Sequence, residues 1–91
     1  MRQNENNKKS INQALGLHIR HRREELQLTR DNIAEKTGLS INSIENIENG
    51  KTKGEAKMYF STLMQICRSL GMEANELQDI YNNFKDDKEQ E

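Results

Sequence analysis

Apolar and polar residues alternate along this chain at the spacing of amphipathic α-helices. A first apolar stripe extends over residues 11–26, with mostly charged and polar residues between its members. Thr29 then offers an N-cap, and the next helical pattern stops at Gly38, a residue type that commonly follows a helix. The inward positions of these two predicted helices are Leu15, Ile19, Leu26, Ile33 and Ala34.

A third short helix is predicted between Ser40 and Gly50. Serine is a strong N-cap residue, and glycine adopts the left-handed conformation that ends many helices. Ile44 and Ile47 lie three residues apart and should face a core, which leaves the other side of this helix polar. Only the three residues 37–39 separate the second helical pattern from the new N-cap.

Two further apolar stripes predict a fourth helix that ends at Gly71 and a fifth that opens near Glu73. The chain contains no proline, and both of its ends are almost wholly polar. We therefore expect an all-α, five-helix domain over residues 11–84, a flexible N-terminal arm over 1–10 and an acidic, disordered tail over 85–91. The two stripes consist of Phe60, Leu63, Met64, Cys67 and Leu70, and of Leu77, Ile80, Tyr81 and Phe84.

Composition and charge restrict the possible partners. The 91 residues include 32% apolar and 32% charged side chains, with a formal net charge of −1. Residues 78–91 have a balance of −3, whereas residues 11–77 hold nine basic and nine acidic side chains. Within the domain, only the distribution of charge can therefore favour an anionic partner. No apolar run approaches the roughly 18 residues of a membrane span, and one cysteine fits a reducing compartment, so we expect a soluble, cytoplasmic protein without membrane contact.

Catalytic or metal chemistry has little support in the sequence. No nucleophile with its base, phosphate-binding loop or pair of carboxylates in a cleft can be identified. His18 and His21 lie three residues apart on the first helix, but further ligands are missing nearby and Cys67 belongs to an apolar stripe. We predict that the protein is not an enzyme and has no metal site and no cofactor.

The polar side of the third helix favours contact with base edges. Asn42 and Asn46 are four residues apart, so they lie on one helical face away from the buried isoleucines. Asparagine both donates and accepts hydrogen bonds, which suits the N6 and N7 atoms of adenine. Glu45 faces outward beside them, where a carboxylate either accepts from a cytosine amino group or is repelled by phosphates.

The segment LTRDNIAEKTGLSINSIENIENGKTK resembles the helix-turn-helix of the Cro/cI-type (XRE-like) DNA-binding family, and especially the N-terminal domains of lambdoid phage repressors. The resemblance extends from about Leu15 to Leu77 and rests on the spacing Ala34-x3-Gly38, the two inward isoleucines and the sequence IENGK. It implies a compact lambda-repressor-like fold. It also implies a sequence-specific transcriptional regulator, bacterial or phage-encoded and nucleoid-associated, with double-stranded DNA as its partner.

The resemblance also implies roles for individual positions. Arg23 and Glu48 match a pair that forms a partly buried salt bridge between the first helix and the recognition helix. Several positions depart from the family pattern. Among them, Arg30 replaces a common glutamine and Gln27 stands where glycine often ends the first helix. The implied base-reading residues are Ile41, Asn42 and Asn46, and the implied phosphate-binding residues are Arg30, Ser43, Asn49, Lys51 and Lys53.

The apolar stripe of the fifth helix has two interpretations. It either packs entirely on its own core, or part of it stays exposed and forms the interface of a homodimer. A two-fold dimer would place two recognition helices about one DNA turn apart on a palindromic operator, as a repressor requires. The dimer candidates are Leu77, Ile80, Tyr81 and Phe84.

A second functional class remains open, namely an antitoxin or another protein-interaction module on the same fold. In that case the basic arm or the acidic tail would engage a protein partner, and the neutral charge of the domain favours this alternative. The two classes differ in surface charge, because a DNA-binding protein should present its basic residues together. The residues expected to share one face are Arg20, Arg22, Arg30, Lys51 and Lys53.

Overall fold

The computed structural model of the protein describes residues 10–51 and 56–89, with side chains at 10–51 and 59–84. Within these ranges the chain forms five α-helices and no strand, which confirms the all-α architecture expected from the sequence. The helices are α1 (Ile11–Glu25), α2 (Arg30–Thr37), α3 (Ile41–Glu48), α4 (Ala56–Ser69) and α5 (Ala74–Glu89).

The last helix is longer than the apolar pattern predicts. It continues to Glu89, past Phe84, where the domain was expected to end. Neither glycine nor proline follows Gly71, so no residue with a strong helix-breaking tendency stops the backbone near Phe84. Most of the expected tail is thus helical, whereas the expected N-terminal arm lies outside the described residues apart from Ser10.

Short polar residues define where the first three helices begin. The Thr29 hydroxyl accepts a hydrogen bond from the backbone N–H of Asn32 at 3.0 Å, and the Thr29 N–H donates to the Asn32 side chain at 2.9 Å. Ser40 accepts from the backbone N–H of Ser43 at 3.1 Å. Both N-caps predicted from the sequence are confirmed, and Ser10 caps α1 in the same way.

Each of the first three helices contributes one fully buried isoleucine to the core, and these are Ile19, Ile33 and Ile44. Cys67 of α4 is also fully buried, and burial raises the pKa of its thiol to about 11. The thiol therefore behaves as a small apolar side chain at neutral pH. The remaining buried apolar residues are Ile47, Leu63, Ile66, Leu70 and Met72.

Gly16 allows α1 and the end of α3 to approach closely. A β-carbon at this position would lie 2.3 Å from the carbonyl oxygen of Ile47 and 2.5 Å from that of Glu48. Both distances are far inside van der Waals contact, so only glycine fits between the two backbones. Because α3 is held from behind in this way, its opposite side is directed toward solvent.

A charged cluster connects α5 to α1. The Nε2 atom of His18 lies 2.9 Å from Oε2 of Glu76, and the Arg22 guanidinium donates to the same oxygen. Arg22 also donates to the carbonyl oxygen of Leu70 at 3.3 Å. The hydrogen bond with His18, followed by the one from Arg22, lowers the pKa of the Glu76 carboxyl against the opposing effect of burial.

Candidate nucleic-acid interface

α2 and α3 are joined by a tight turn, residues 38–40. Gly38 adopts a φ of +80°, and its N–H donates to the carbonyl oxygen of Ala34 at 2.8 Å. A β-carbon would be strained at this φ, so glycine ends α2 and lets the chain reverse at once. The Thr37 hydroxyl accepts from the N–H of Leu39 at 3.1 Å and closes the turn. Two short helices joined by a glycine-containing turn of this length form a helix-turn-helix.

The recognition-helix candidate, α3, is apolar on one side and mostly polar on the other. Ile44 is fully buried and Ile47 is almost so, which confirms the predicted inward side. At the start of the outer side, the Ile41 residue is 42% exposed and Asn42 is also exposed. Asn46, one turn later, is half-buried. All three proposed base-reading residues thus reach the surface, and Asn42 is more accessible than Asn46.

Residues proposed to contact phosphate lie near both ends of α3. Ser43 is half-buried, and its hydroxyl accepts from the hydroxyl of the N-cap serine at 3.0 Å. Asn49 and Lys51 are exposed immediately after the helix, and the Lys51 N–H donates to the carbonyl oxygen of Asn46 at 2.9 Å. This hydrogen bond holds the start of the loop against the helix end. Lys53 lies outside the described residues.

Arg23 of α1 and Glu48 of α3, the proposed structural pair, are in direct contact. Two hydrogen bonds join them, from Arg23 Nε to Glu48 Oε2 at 2.6 Å and from Nη2 to Oε1 at 3.2 Å. Arg23 Nη1 also donates to the carbonyl oxygen of Leu28 at 2.9 Å. The Glu48 side chain has 0% exposure and that of Arg23 has 11%. The hydrogen bond to Glu48 raises the pKa of the guanidinium although burial opposes this, so Arg23 stays protonated.

Arg30, the first residue of α2, extends this pair toward the surface. Its Nε and Nη2 atoms each lie 3.0 Å from Oε1 of Glu48, and its Nη1 atom lies 3.2 Å from Oε2 of Glu45. The Glu45 side chain is 46% exposed. Arg23, Glu48, Arg30 and Glu45 therefore form a chain of alternating charges that leads from the interior to the outer side of α3. We call these four residues the ion-pair network.

The family resemblance implies that Arg30 contacts phosphate, and the sequence pattern alone treats Glu45 as an isolated carboxylate. In the fold both residues have an intrachain partner, and carboxylates balance the charge of Arg30. A signal for this pairing exists in the sequence: an arginine begins α2, and two glutamates three residues apart lie on one side of α3. Their proximity depends on how the two helices cross, which residue spacing along the chain does not reveal.

Other basic side chains of the domain are also paired. Arg20 Nε lies 3.3 Å from Glu24 Oε2 on α1, and Arg22 binds Glu76 of α5. Arg22 thus lies against α5, whereas Arg30 lies against α3. Lys51 is exposed and has no ion pair among the described residues. The outer side of α3 is therefore close to neutral rather than strongly basic.

The proposed dimer residues divide into two groups. Leu77 and Ile80 are partly buried and pack against the core, as the first interpretation requires. Tyr81 is 48% exposed, and Phe84 is half-buried further along α5. Part of the stripe therefore serves the core, and Tyr81 presents apolar surface to solvent.

The described residues contain no group of three His, Cys, Asp or Glu side chains arranged to hold a metal ion. His18, one of the two histidines considered above, contacts Glu76. None of the helices in the described part of the chain is long and apolar enough to cross a membrane.

Residues 16–89 match a protein-family model described as a helix-turn-helix domain. The matched segment begins at Gly16 in α1 and includes α2, the turn, α3 and α5 to its end. It covers most of the 91 residues, and the chain belongs to this helix-turn-helix family. Membership indicates a DNA-binding regulator and a class of proteins that is typically not enzymatic. No curated protein matches the chain with significance.

Proposed function

We propose that this protein is a sequence-specific transcriptional regulator that binds double-stranded DNA, and that it acts as a dimeric repressor similar to lambdoid phage repressors. The observation that carries the proposal is the outer side of α3, which exposes Ile41 and Asn42 while Ile44 anchors the helix in the core. A helix presented in this way beside a bracing helix fits the major groove.

In the proposed complex α3 lies in the major groove and reads it from its N-terminal half. Asn42 and Asn46 hydrogen-bond base edges, adenine being the base that an amide matches best. Ile41 contributes an apolar contact, which a thymine methyl group would fill. Ser43, Asn49, Lys51 and Lys53 contact phosphates on either side and set the position of the helix without specifying sequence.

Selection of bound duplexes from a random pool at a stated salt concentration tests sequence specificity. We expect an enriched inverted repeat, with half-sites about 10 base pairs apart from centre to centre. A pool that remains random after several rounds, with binding indifferent to salt, would overturn the proposal.

Two variants distinguish a residue that contacts base edges from one that contacts phosphates. Asn46→Ala should cost about 1–3 kcal/mol of binding free energy and relax preference at one base position. The matched control is Gln65→Ala, which removes an exposed amide from α4. Lys51→Ala should weaken all sequences alike and flatten the slope of log K against log salt by about 0.9. Lys36→Ala, at the other end of α2 from Arg30, makes the same change of charge and should leave the slope unaltered.

The dimer forms, in this proposal, through the exposed part of the α5 stripe around Tyr81. Tyr81→Asp places a charge on that surface and should shift the monomer–dimer equilibrium toward monomer in sedimentation velocity experiments. Asn82→Asp adds the same charge at a neighbouring exposed position and serves as the control. Equal sedimentation of both variants and the unmodified protein over a range of concentrations would exclude Tyr81 from an interface.

The second candidate, an antitoxin or other protein-interaction module, is favoured by one observation: most arginines near the proposed interface are paired with carboxylates. Such a surface attracts phosphates weakly. This candidate predicts that DNA selection enriches nothing, whereas the regulator predicts a specific site with a shallow salt dependence. The selection experiment therefore distinguishes the two.

A further inference from the structure

We propose that Glu45 is a specificity-determining residue that accepts a hydrogen bond from the amino group of a base, cytosine first, and that Arg30 is the positioning residue that orients it. This inference rests on the proposed function, since it concerns which base the same surface reads. It assigns Arg30 to the support of α3 instead of to phosphate.

Arg30 is itself held in place from the interior. Two of its nitrogens lie 3.0 Å from Oε1 of Glu48, whose side chain is wholly buried. Glu48 in turn accepts two hydrogen bonds from Arg23. A guanidinium anchored on a buried carboxylate loses much of its rotational freedom, so its remaining N–H groups point in defined directions.

The Nη1 atom of Arg30 uses this fixed direction to hold Glu45. It lies 3.2 Å from Oε2 of Glu45, a contact that restricts the carboxylate on the outer side of α3. Oε1 of Glu45 has no hydrogen bond among the described residues and can accept one from a ligand. The side chain is 46% exposed, so this oxygen is accessible to a base edge.

The pairing also removes the electrostatic objection to a carboxylate near DNA. An unpaired glutamate beside phosphates is repelled, but the ion-pair network contains two arginines and two glutamates and is neutral as a whole. A carboxylate that is paired at one oxygen still has lone pairs at the other, with which it can accept a further hydrogen bond. Cytosine presents an N4 amino donor in the major groove, and glutamate is the side chain type that accepts from it.

The experiment is the DNA selection described above, repeated with Glu45→Gln, Arg30→Met and Arg30→Lys on the full chain. For Glu45→Gln we expect one base position in each half-site of the aligned selected sequences, called a column below, to change from cytosine to adenine. The reason is that an amide pairs with N6 and N7 of adenine. Arg30→Met should reduce the cytosine preference in that same column by about tenfold, the effect of one good contact. Arg30→Lys keeps a donor for Glu45 and should restore part of the preference.

Glu35→Gln provides the control, since it removes an equally negative charge from an exposed position of α2 and should leave every column unchanged. Thermal melts of each variant ensure that folded proteins are compared. A motif that Glu45→Gln leaves unaltered overturns the inference, as does an affected column whose base carries no amino group in the major groove. An Arg30→Met variant that keeps the motif but flattens the salt slope by about 0.9 would make Arg30 a phosphate ligand and also overturn it.

These outcomes are separable from failure of the proposed function. If the unmodified protein enriches no sequence, the regulator is wrong and the inference falls with it. If the unmodified protein enriches a site and the Glu45 variant selects the same one, the regulator stands and only the role of Glu45 is wrong.

Discussion

Removal of the Glu48 carboxylate should destabilise the protein more than any other single substitution of a charged residue discussed above. Glu48 has no exposed side-chain surface and receives hydrogen bonds from Arg23 at 2.6 and 3.2 Å and from Arg30 at 3.0 Å. In Glu48→Ala, Arg23 keeps its charge with only 11% side-chain exposure and loses its main partner. Breaking a buried pair in this way costs about 3–5 kcal/mol, which is a large share of the 5–15 kcal/mol that stabilises a typical domain.

The free energy of unfolding is measured by urea denaturation, followed by circular dichroism at one fixed protein concentration. Glu48→Gln keeps the shape of the side chain and should cost less than Glu48→Ala. Glu24→Gln provides a control, since Glu24 pairs with Arg20 at the surface, where an ion pair contributes at most about 1 kcal/mol.

The double variant Arg23→Met/Glu48→Leu tests whether the loss of stability comes from leaving the buried charge of Arg23 without its partner. In the double variant the buried charge of Arg23 is absent and Arg30 still has Glu45 as a partner at 3.2 Å, so this variant should be more stable than Glu48→Ala. Two results would refute the reasoning: a loss below about 1 kcal/mol for Glu48→Ala, or losses for the single variants Arg23→Met and Glu48→Leu that simply add in the double variant.

Three further predictions concern the backbone and the pH dependence of stability. Gly16→Ala places a β-carbon 2.3 Å from a carbonyl oxygen of α3 and should lower the free energy of unfolding, measured in urea, by about 3 kcal/mol or more. Gly38→Ala has open space around the new β-carbon but a φ of +80°, so it should cost only about 1–2 kcal/mol. Equal losses would contradict the close approach of α1 and α3. Gln27 adopts a φ of +59°, so Gln27→Gly should stabilise the protein by about 1 kcal/mol, and a lower melting temperature for this variant would count against strain there. The pKa of Glu76 is lowered in the folded protein, so its charged form contributes stability that is complete above about pH 4.3 and is lost as the pH falls through the lower folded-state value. Glu76→Gln should accordingly reduce stability at pH 7 and much less at pH 2, while Glu35→Gln should show no such pH-dependent difference.

Much of the fold could be predicted because its determinants are local in the chain. The N-caps Thr29 and Ser40 and the C-terminal Gly38 satisfy backbone hydrogen bonds within three or four residues, and each was identifiable from residue type and spacing. The inward side of α3 follows in the same way from Ile44 and Ile47. The end of α5 was less predictable, because no cap or helix breaker marks it and the apolar pattern stops earlier than the helix.

The candidate site was predictable in its position but not in its electrostatics. Sequence spacing alone identified Asn42 and Asn46 as outward residues of a recognition helix, and resemblance to a family added the Arg23–Glu48 pair. The partners of Arg30 depended on which side chains of α3 meet the first turn of α2, a matter of helix crossing. Local chemistry thus decided where the first three helices begin and which side of α3 is buried, but not the burial of every stripe residue, since Leu26 and Phe60 are exposed. Only tertiary packing decided that Glu45, an isolated carboxylate by sequence, is neutralised by an arginine from the neighbouring helix, because Coulomb interactions depend on distance in space and not on separation along the chain.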